Sequence, residues 1–340
     1  MSIVVNGRFL RRPPTGLHRV ARSHLVHGRR NGLDFETLTP PGIEDPLADR
    51  SVWAPPGRVG DHVWEQVVLP SAARGRRVLS LTNTAPIAAR HGVVMVHDVA
   101  TLVGPEWFRT ELRLYGRISL AAARRAETVL TVSAQVADEL TGLGIPADRL
   151  HVVRSAVDPL FVPSPPDVVE ATRRRLGIGE RWVLHVGWSD PRKDAATLVA
   201  ASDKVVGRLN HEVVLVGGAH RNFAPVHIPS RPQVRMVGFV ADDDLRHLLS
   251  GAVAFAFPSR YEGFGLPPLE AMACGTPAIV SDLPALREST GGGATYVRPG
   301  DVDGWAAALE AALLGHLDVG AAPAWTWEHA SQQLRAALDT

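Results

Sequence analysis

Short apolar runs that stop at polar or turn residues alternate along the chain with longer amphipathic stretches. That rhythm predicts repeated strand–loop–helix units and therefore parallel sheets covered by helices, an α/β architecture. In the first half the expected strands are Ile3 to Val5, Val78 to Ser80, Gly92 to Asp98 and Thr128 to Ser133. Helical spacing follows from Val20 to Val26, from Leu112 to Ala126 and from Ala134 to Gly142. Asp61 to Leu69, with His62, Trp64, Glu65 and Gln66, reads as a helix at a domain rim. The prolines between Pro159 and Asp167 mark a linker. Beyond it, strands are expected at Trp182 to Val186, His211 to Gly218 and Val234 to Val240. Further helices are expected at Trp305 to Leu314 and Trp325 to Leu338.

The stretch Val253 to Asp282, VAFAFPSRYEGFGLPPLEAMACGTPAIVSD, carries the densest set of signals. Val253, Phe255 and Phe257 form an apolar run stopped by Pro258 and Ser259, as suits a buried parallel strand. Gly263 and Gly265 make a loop, Pro267 and Pro268 open a short helix, and Gly275 ends it as a left-handed cap. Glu262 and Glu270 would be roughly 12 Å apart along one unbroken helix. A helix start near Pro267 instead keeps Glu262 on the loop and puts Glu270 in the first turn. Both then face one small molecule beside a helix N-terminus, where free N–H groups favour phosphate. On spacing alone, Glu262 capping the loop and Glu270 complementing the helix dipole is the alternative reading.

At 340 residues, with 45% hydrophobic and 21% charged residues, the chain has material for two cores. Net charge is +1, which gives no general attraction to nucleic acid. Cys274 is the only cysteine, so no internal disulfide is possible and nothing points to an oxidising compartment. The N-terminus MSIVVNGRFL has the form of a strand rather than a signal peptide, and no apolar run approaches the ~18 residues of a membrane span. A cytoplasmic location is expected. P-loop and zinc-site spacings are both absent. Asp242, Asp243 and Asp244, and likewise Asp301 and Asp303, read as helix caps and first-turn acids rather than metal ligands, so no metal site is expected.

Glu262, seven residues, then Glu270, within the Gly-Phe-Gly loop, the Glu-Ala-Met-Ala helix and the Gly-Thr-Pro turn, resembles the E-x7-E signature of family 4 retaining glycosyltransferases of the GT-B fold. The resemblance covers nearly the whole chain. It implies two Rossmann-like domains facing across a cleft: residues 1–160, an acceptor domain with residues 325–340 crossing back to it, and residues 161–324, a nucleotide-sugar donor domain.

The resemblance also implies roles. Arg192 and Lys193, in Gly187-Trp188-Ser189-Asp190-Pro191-Arg192-Lys193-Asp194, stand where the family's phosphate ligands lie, with Asp194 where asparagine is common. By residue type alone the pair suits a diphosphate clamp or a solvated basic turn. Glu270 would hold ribose hydroxyls, and Glu262 with the backbone of Gly263, Phe264, Gly265 and Leu266 the donor sugar, on the wall opposite the cations. The turn ending in Phe239 and Val240 would face the nucleobase. His97 would lie near the reacting end of the sugar and Asp98 would orient it. The Gly16 backbone, in a loop resembling the family's N-terminal loop, would close over the diphosphate. No carboxylate nucleophile stands out, and a front-face route, in which the departing phosphate takes the acceptor's proton, needs none.

The function expected is metal-independent transfer of a hexose-type sugar from a GDP-, UDP- or dTDP-sugar to a glycan, lipid-linked or small-molecule hydroxyl, without a cofactor. A GT-B sugar-nucleotide epimerase and a non-catalytic nucleotide-sugar-binding subunit are the alternatives. Arg8, Arg11, Arg12 and Arg19 suit either an anionic or membrane-surface acceptor or a plain solvated loop.

Overall fold

The computed structural model describes residues 3–11, 16–55, 60–89, 91–218 and 223–339. Arg12 to Thr15, singled out within the N-terminal loop, lie outside them. The chain divides into two compact units. The first comprises Met1–Val103, Thr110–Ala156 and Trp325–Thr340, and the second Gly104–Arg109 and Val157–Ala324.

The first unit is built on a seven-stranded sheet with β1 Ile3–Asn6, β2 Phe35–Thr39, β3 Arg50–Ser51, β4 Val78–Ser80, β5 Gly92–Val96, β6 Thr128–Thr131 and β7 Leu150–Val152. The strand order is β3-β2-β1-β4-β5-β6-β7 and every pair is parallel. Helices cover the sheet, so its central strands are buried and read as continuous apolar runs. The C-terminal helix Trp327–Leu338 belongs to this unit. Trp327 stacks on His27 of the helix Gly16–Arg30, 5.4 Å between ring centroids and 11° between planes. Gln333 Oε1 accepts from the Arg154 N–H at 2.9 Å, tying the tail to the end of the unit's main segment.

The segment expected to lie at the domain rim is part surface and part core, with His62, Val63 and Val67 exposed. Trp64 and Glu65 are buried on a π-helical turn, Trp64–Val68, set between the short helices Gly60–Val63 and Leu69–Ala73. Polar spacing at Glu65 and Gln66 suggests exposure, but Glu65 is buried and Gln66 donates from Nε2 to the Ala85 carbonyl at 3.0 Å. Glu65 accepts from Asn6 Nδ2 (2.8 Å) and Thr84 Oγ1 (3.0 Å) and pairs with Arg8 (3.2 Å).

The second unit holds a six-stranded parallel sheet with β8 Trp182–Val186, β9 Glu212–Val216, β10 Val234–Gly238, β11 Ala254–Phe257, β12 Ala278–Ser281 and β13 Thr295–Val297, ordered β10-β9-β8-β11-β12-β13. Period-two alternation distributes its side chains to two cores. Leu184, Val214, Phe255 and Phe257 pack on one face, and Val183, Leu215, Ala254 and Ala256 on the other. Pro166 opens the helix Pro166–Arg175, so the proline-rich linker is shorter than its composition suggested. Proline at the first helical position sacrifices an N–H that has no partner there.

Candidate active site

In the second unit the chain winds outward in both directions from the centre of the sheet. β8 leads to β9 and β10 on one side, and β11 to β12 and β13 on the other. The order therefore reverses between β8 and β11, and a ligand crevice forms beyond the carboxyl ends of strands at such a point. The loop leaving β8 carries Arg192 and Lys193, and the loop leaving β11 carries Glu262 and leads into the helix that carries Glu270.

After β8, Asp190 caps a 3-10 turn, Pro191–Lys193, by accepting from the Arg192 N–H at 3.0 Å. Its carboxylate also receives the Arg192 guanidinium, with Nη2 to Oδ2 at 2.7 Å. The guanidinium carbon lies 5.4 Å from the Phe108 ring centroid and 5.8 Å from that of Phe223. Lys193 Nζ donates to Glu262 Oε1 at 2.5 Å and sits 4.3 Å from the Phe257 ring centroid. Arginine and lysine are thus each matched to one acid, with Arg192 and Lys193 side chains still 15% and 16% exposed. The helix Ala195–Val205 starts directly after this turn and adds the positive end of its dipole.

Beneath the turn, His185 of β8 is fully buried and donates from Nδ1 to the Ala256 carbonyl at 3.0 Å. Burial pushes its pKa down to about 4, and the nearby Lys193 charge adds to that. The imidazole is neutral at physiological pH and adds no charge under the two cations.

After β11, Gly265 takes φ +90 as the N-cap of the helix Leu266–Ala273, a conformation other residues adopt only with strain. A Cβ there would also lie 2.3 Å from Leu286 Cδ2. Glu262 and Glu270 are both 7% exposed. Two expectations are corrected here. The helix begins at Leu266, one residue earlier than expected, so Glu270 is its fifth residue and lies beyond the first turn. The glutamates also do not stand on a wall opposite the cations: all four residues belong to one unit, and Lys193 touches Glu262 directly. Gly263 and Phe264 are buried and Leu266 is half-buried, so Gly263 and Phe264 offer a ligand backbone rather than side-chain surface.

Phe239, just past β10, is 82% exposed and holds an aromatic ring in solvent, as a stacking platform would. Val240 packs into the core, so its side chain is turned away from any base.

In the first unit the order reverses between β1 and β4. The helix Gly16–Arg30 begins at the exposed Gly16, the next described element after the 3-10 turn Gly7–Arg11 that follows β1. His97 lies immediately past β5 and is half-buried. Its N–H donates to Asn83 Oδ1 (2.8 Å) and its Nε2 to the Leu81 carbonyl (2.9 Å). A carbonyl accepts only, so Nε2 carries the proton and the neutral ring keeps its lone pair on Nδ1. Burial lowers the His97 pKa, against the opposing effects of the Leu81 carbonyl and the Asp98 charge. The hydrogen bond that fixes the ring comes from Leu81. Asp98 acts on it through charge, and its Oδ1 accepts from the Ala100 N–H at 3.1 Å.

The acidic helix starts behave as helix ends do. Asp242, Asp243 and Asp244 occupy the first turn of Asp242–Gly251, but the N-cap is Ala241 and not an aspartate. Asp301 does cap Val302–Leu313, accepting from Gly304 N–H at 3.0 Å. Among the described residues no group of three or more His, Cys, Asp or Glu could hold a metal ion. Cys274 is buried just past the helix Leu266–Ala273, its thiol pushed up to about 11, chiefly by burial. No described helix is long and apolar enough to cross a membrane.

The sequence pattern did not single out Asp190, Phe257, Phe108, Phe223 or Arg260 as parts of the site. Asp190 was signalled by the Asp-Pro start of its turn. Phe108 and Phe223 meet only through an antiparallel bridge between distant segments, which local pattern cannot reveal.

The family model of group 1 glycosyl transferases matches residues 180–314, which span the whole second sheet. O-antigen chain mannosyltransferase B of Escherichia coli is 30% identical over 228 residues, 64% of this chain and 60% of that protein. MMP alpha-(1->4)-mannosyltransferase of Mycolicibacterium hassiacum is 31% identical over 272 residues, 74% of this chain and 62% of that protein. The chain thus aligns with less than two thirds of either relative's length. Among solved structures, Anabaena Alr3699/HepE in complex with UDP and glucose shares the fold at a TM-score of 0.72 and 17% identity, with 100% of both chains covered. With two parallel-sheet units that share the GT-B fold and residues 180–314 matching the group 1 glycosyl transferase model, the chain is similar to the GT4-like glycosyltransferases.

Proposed function

We propose that this chain transfers a hexose, with retention and without a metal ion, from a nucleotide-diphosphate sugar to a hydroxyl acceptor. One observation carries the reading: two cations and two buried acids leave the carboxyl ends of β8 and β11, where the strand order reverses, and Lys193 and Glu262 already touch. As the bond from the sugar's anomeric carbon to the diphosphate lengthens, charge grows on the departing oxygen. Arg192 and Lys193 would neutralise that charge, and one such preorganised donor contributes about 3–4 kcal/mol. The acceptor oxygen would bond to the anomeric carbon on the face the diphosphate leaves, and its proton would pass to the departing phosphate. Glu262 and Glu270 would hold sugar and ribose hydroxyls, and Phe239 would stack on the base.

Mannosyltransferase names among the relatives support mannose as the first sugar to try. The test is a screen of GDP-, UDP- and dTDP-sugars by thermal shift and product formation, with and without EDTA. One base class should raise Tm, and a product of unchanged anomeric configuration should form only with acceptor present, equally in EDTA. Loss of the thermal shift in chelator, an inverted product, or isomerisation of the donor without acceptor would each overturn the proposal.

A further inference from the structure

The residue after Lys193 is an acid in an unusual posture. Asp194 adopts φ +45, ψ +46, left-handed space that aspartate tolerates better than most residues. It is 9% exposed, and its Oδ2 accepts from Thr197 Oγ1 at 2.8 Å and from Arg260 Nε at 2.9 Å. Arg260 leaves β11 two residues before Glu262 and is half exposed, and its backbone N–H donates to the Arg192 carbonyl at 2.7 Å. One residue from the other switch-point loop thus reaches the basic turn twice, by main chain at Arg192 and by guanidinium at Asp194.

A buried carboxylate next in sequence to Lys193 opposes the binding of any anion there unless its charge is matched. Asp190 is matched by Arg192 and Glu262 by Lys193, which leaves Asp194 to Arg260. We infer that Arg260 is a positioning residue for the nucleotide diphosphate: it neutralises Asp194, and so lets Arg192 and Lys193 present net positive charge to the phosphates. The inference rests on the proposed role of Arg192 and Lys193 and deepens it, by making the site's selectivity for phosphate depend on a residue that does not itself touch the donor.

The main-chain bond to Arg192 survives any substitution at Arg260, so a side-chain change isolates the charge. The test measures dissociation constants by calorimetry for whichever of GDP, UDP or dTDP binds the unaltered protein, and for its nucleoside without phosphates. Variants are Arg260→Ala, Arg260→Lys, Asp194→Asn and the Arg260→Ala/Asp194→Asn pair. Arg260→Ala should weaken the diphosphate about five- to tenfold, the effect of one unmatched charge at short range in partly wetted protein. The nucleoside should be unaffected, and Arg260→Lys should retain most of the affinity. Asp194→Asn keeps the acceptor for Thr197 and the tolerance of left-handed backbone, so alone it should not weaken binding. In the pair it should restore the diphosphate affinity lost in Arg260→Ala.

A pair as weak as Arg260→Ala, or equal losses for nucleoside and diphosphate, would make Arg260 a scaffold residue and overturn the inference. Arg192→Ala serves as the separate control. If that variant binds the diphosphate as well as the unaltered chain does, the clamp itself is misassigned, whatever Arg260 does. Melting curves on every variant establish that each is folded at the assay temperature, so that a change in diphosphate affinity reads charge and not lost structure.

Discussion

Lys193 Nζ donates to Glu262 Oε1 across 2.5 Å, joining the loop after β8 to the loop after β11 where the sheet reverses its strand order. Both side chains are largely withdrawn from water, 16% and 9% exposed. A pair so placed is strong enough to set the resting geometry of both loops, yet still open to exchange. An incoming phosphate can take over Lys193, and a sugar hydroxyl can take over Glu262.

Removing the two partners should therefore have different consequences. Lys193→Ala should weaken nucleoside diphosphate binding and lower kcat by about 10²- to 10³-fold, the usual loss for one donor to developing charge. Glu262→Gln should leave the diphosphate affinity unchanged or slightly improved, because Lys193 is released, while kcat falls as sugar orientation is lost. Calorimetry on the diphosphate together with steady-state kinetics on the sugar nucleotide checks both. Equal losses of diphosphate affinity in the two variants would mean that the ion pair is structural and neither group meets the donor separately.

Much of this site was legible because its signals are local. Gly265 and Gly275 bracket the short helix by conformations that sequence announces, and both have positive φ. The Glu262–Glu270 spacing and the Arg192-Lys193 turn sit in uninterrupted motifs. What was misread depends on tertiary contacts. Glu65 looks like a surface residue until Asn6, Thr84 and Arg8, each distant in sequence or on another element, supply its hydrogen bonds. The supposed opposition of cations and glutamates failed for a similar reason. Only the pairing of β11 with β8, at Ala254 to Val183 and Phe255 to Leu184, brings loops some seventy residues apart to one end of one sheet. Val240 shows the same limit, since the alternation of a strand edge does not reveal which side chain turns into the core.

Four histidines with lowered pKa, the buried His24, His185 and His211 and the half-buried His97, make the folded chain sensitive to mild acid. His24 is held down to about 3 and His185 to about 4, in both cases mainly by burial, and His97 and His211 are lowered for the same reason. An unfolded chain takes up these protons near pH 6.5 and the folded chain does not, so the unfolded state binds more protons below that pH. Stability should be fully present above about pH 7 and fall as pH drops from 6.5 towards 4, by about 1.4 kcal/mol per pH unit for each of His24 and His185. Urea unfolding at pH 7.5, 6 and 5 measures this. His185→Gln should flatten the slope by one proton's worth, and an unchanged slope would show that His185 is protonated in the folded state.

The polar cluster around Glu65 should matter to stability before it matters to catalysis. The Glu65 and Arg8 side chains are 2% and 12% exposed and 3.2 Å apart at the pair, and Arg8 also donates to Thr84 Oγ1 at 3.2 Å. Removing one member of a buried pair strands the other charge and costs about 3–5 kcal/mol. Glu65→Ala should therefore unfold at markedly lower urea concentration, with the amides and hydroxyls of Asn6 and Thr84 losing their acceptor as well. Glu65→Gln keeps an acceptor oxygen for those two and should lose less. Because the residues share partners, the double variant Arg8→Ala/Glu65→Ala should be less destabilised than the sum of the single variants. Strict additivity in the urea midpoints would mean that Glu65 and Arg8 do not depend on each other, contrary to the geometry of the cluster.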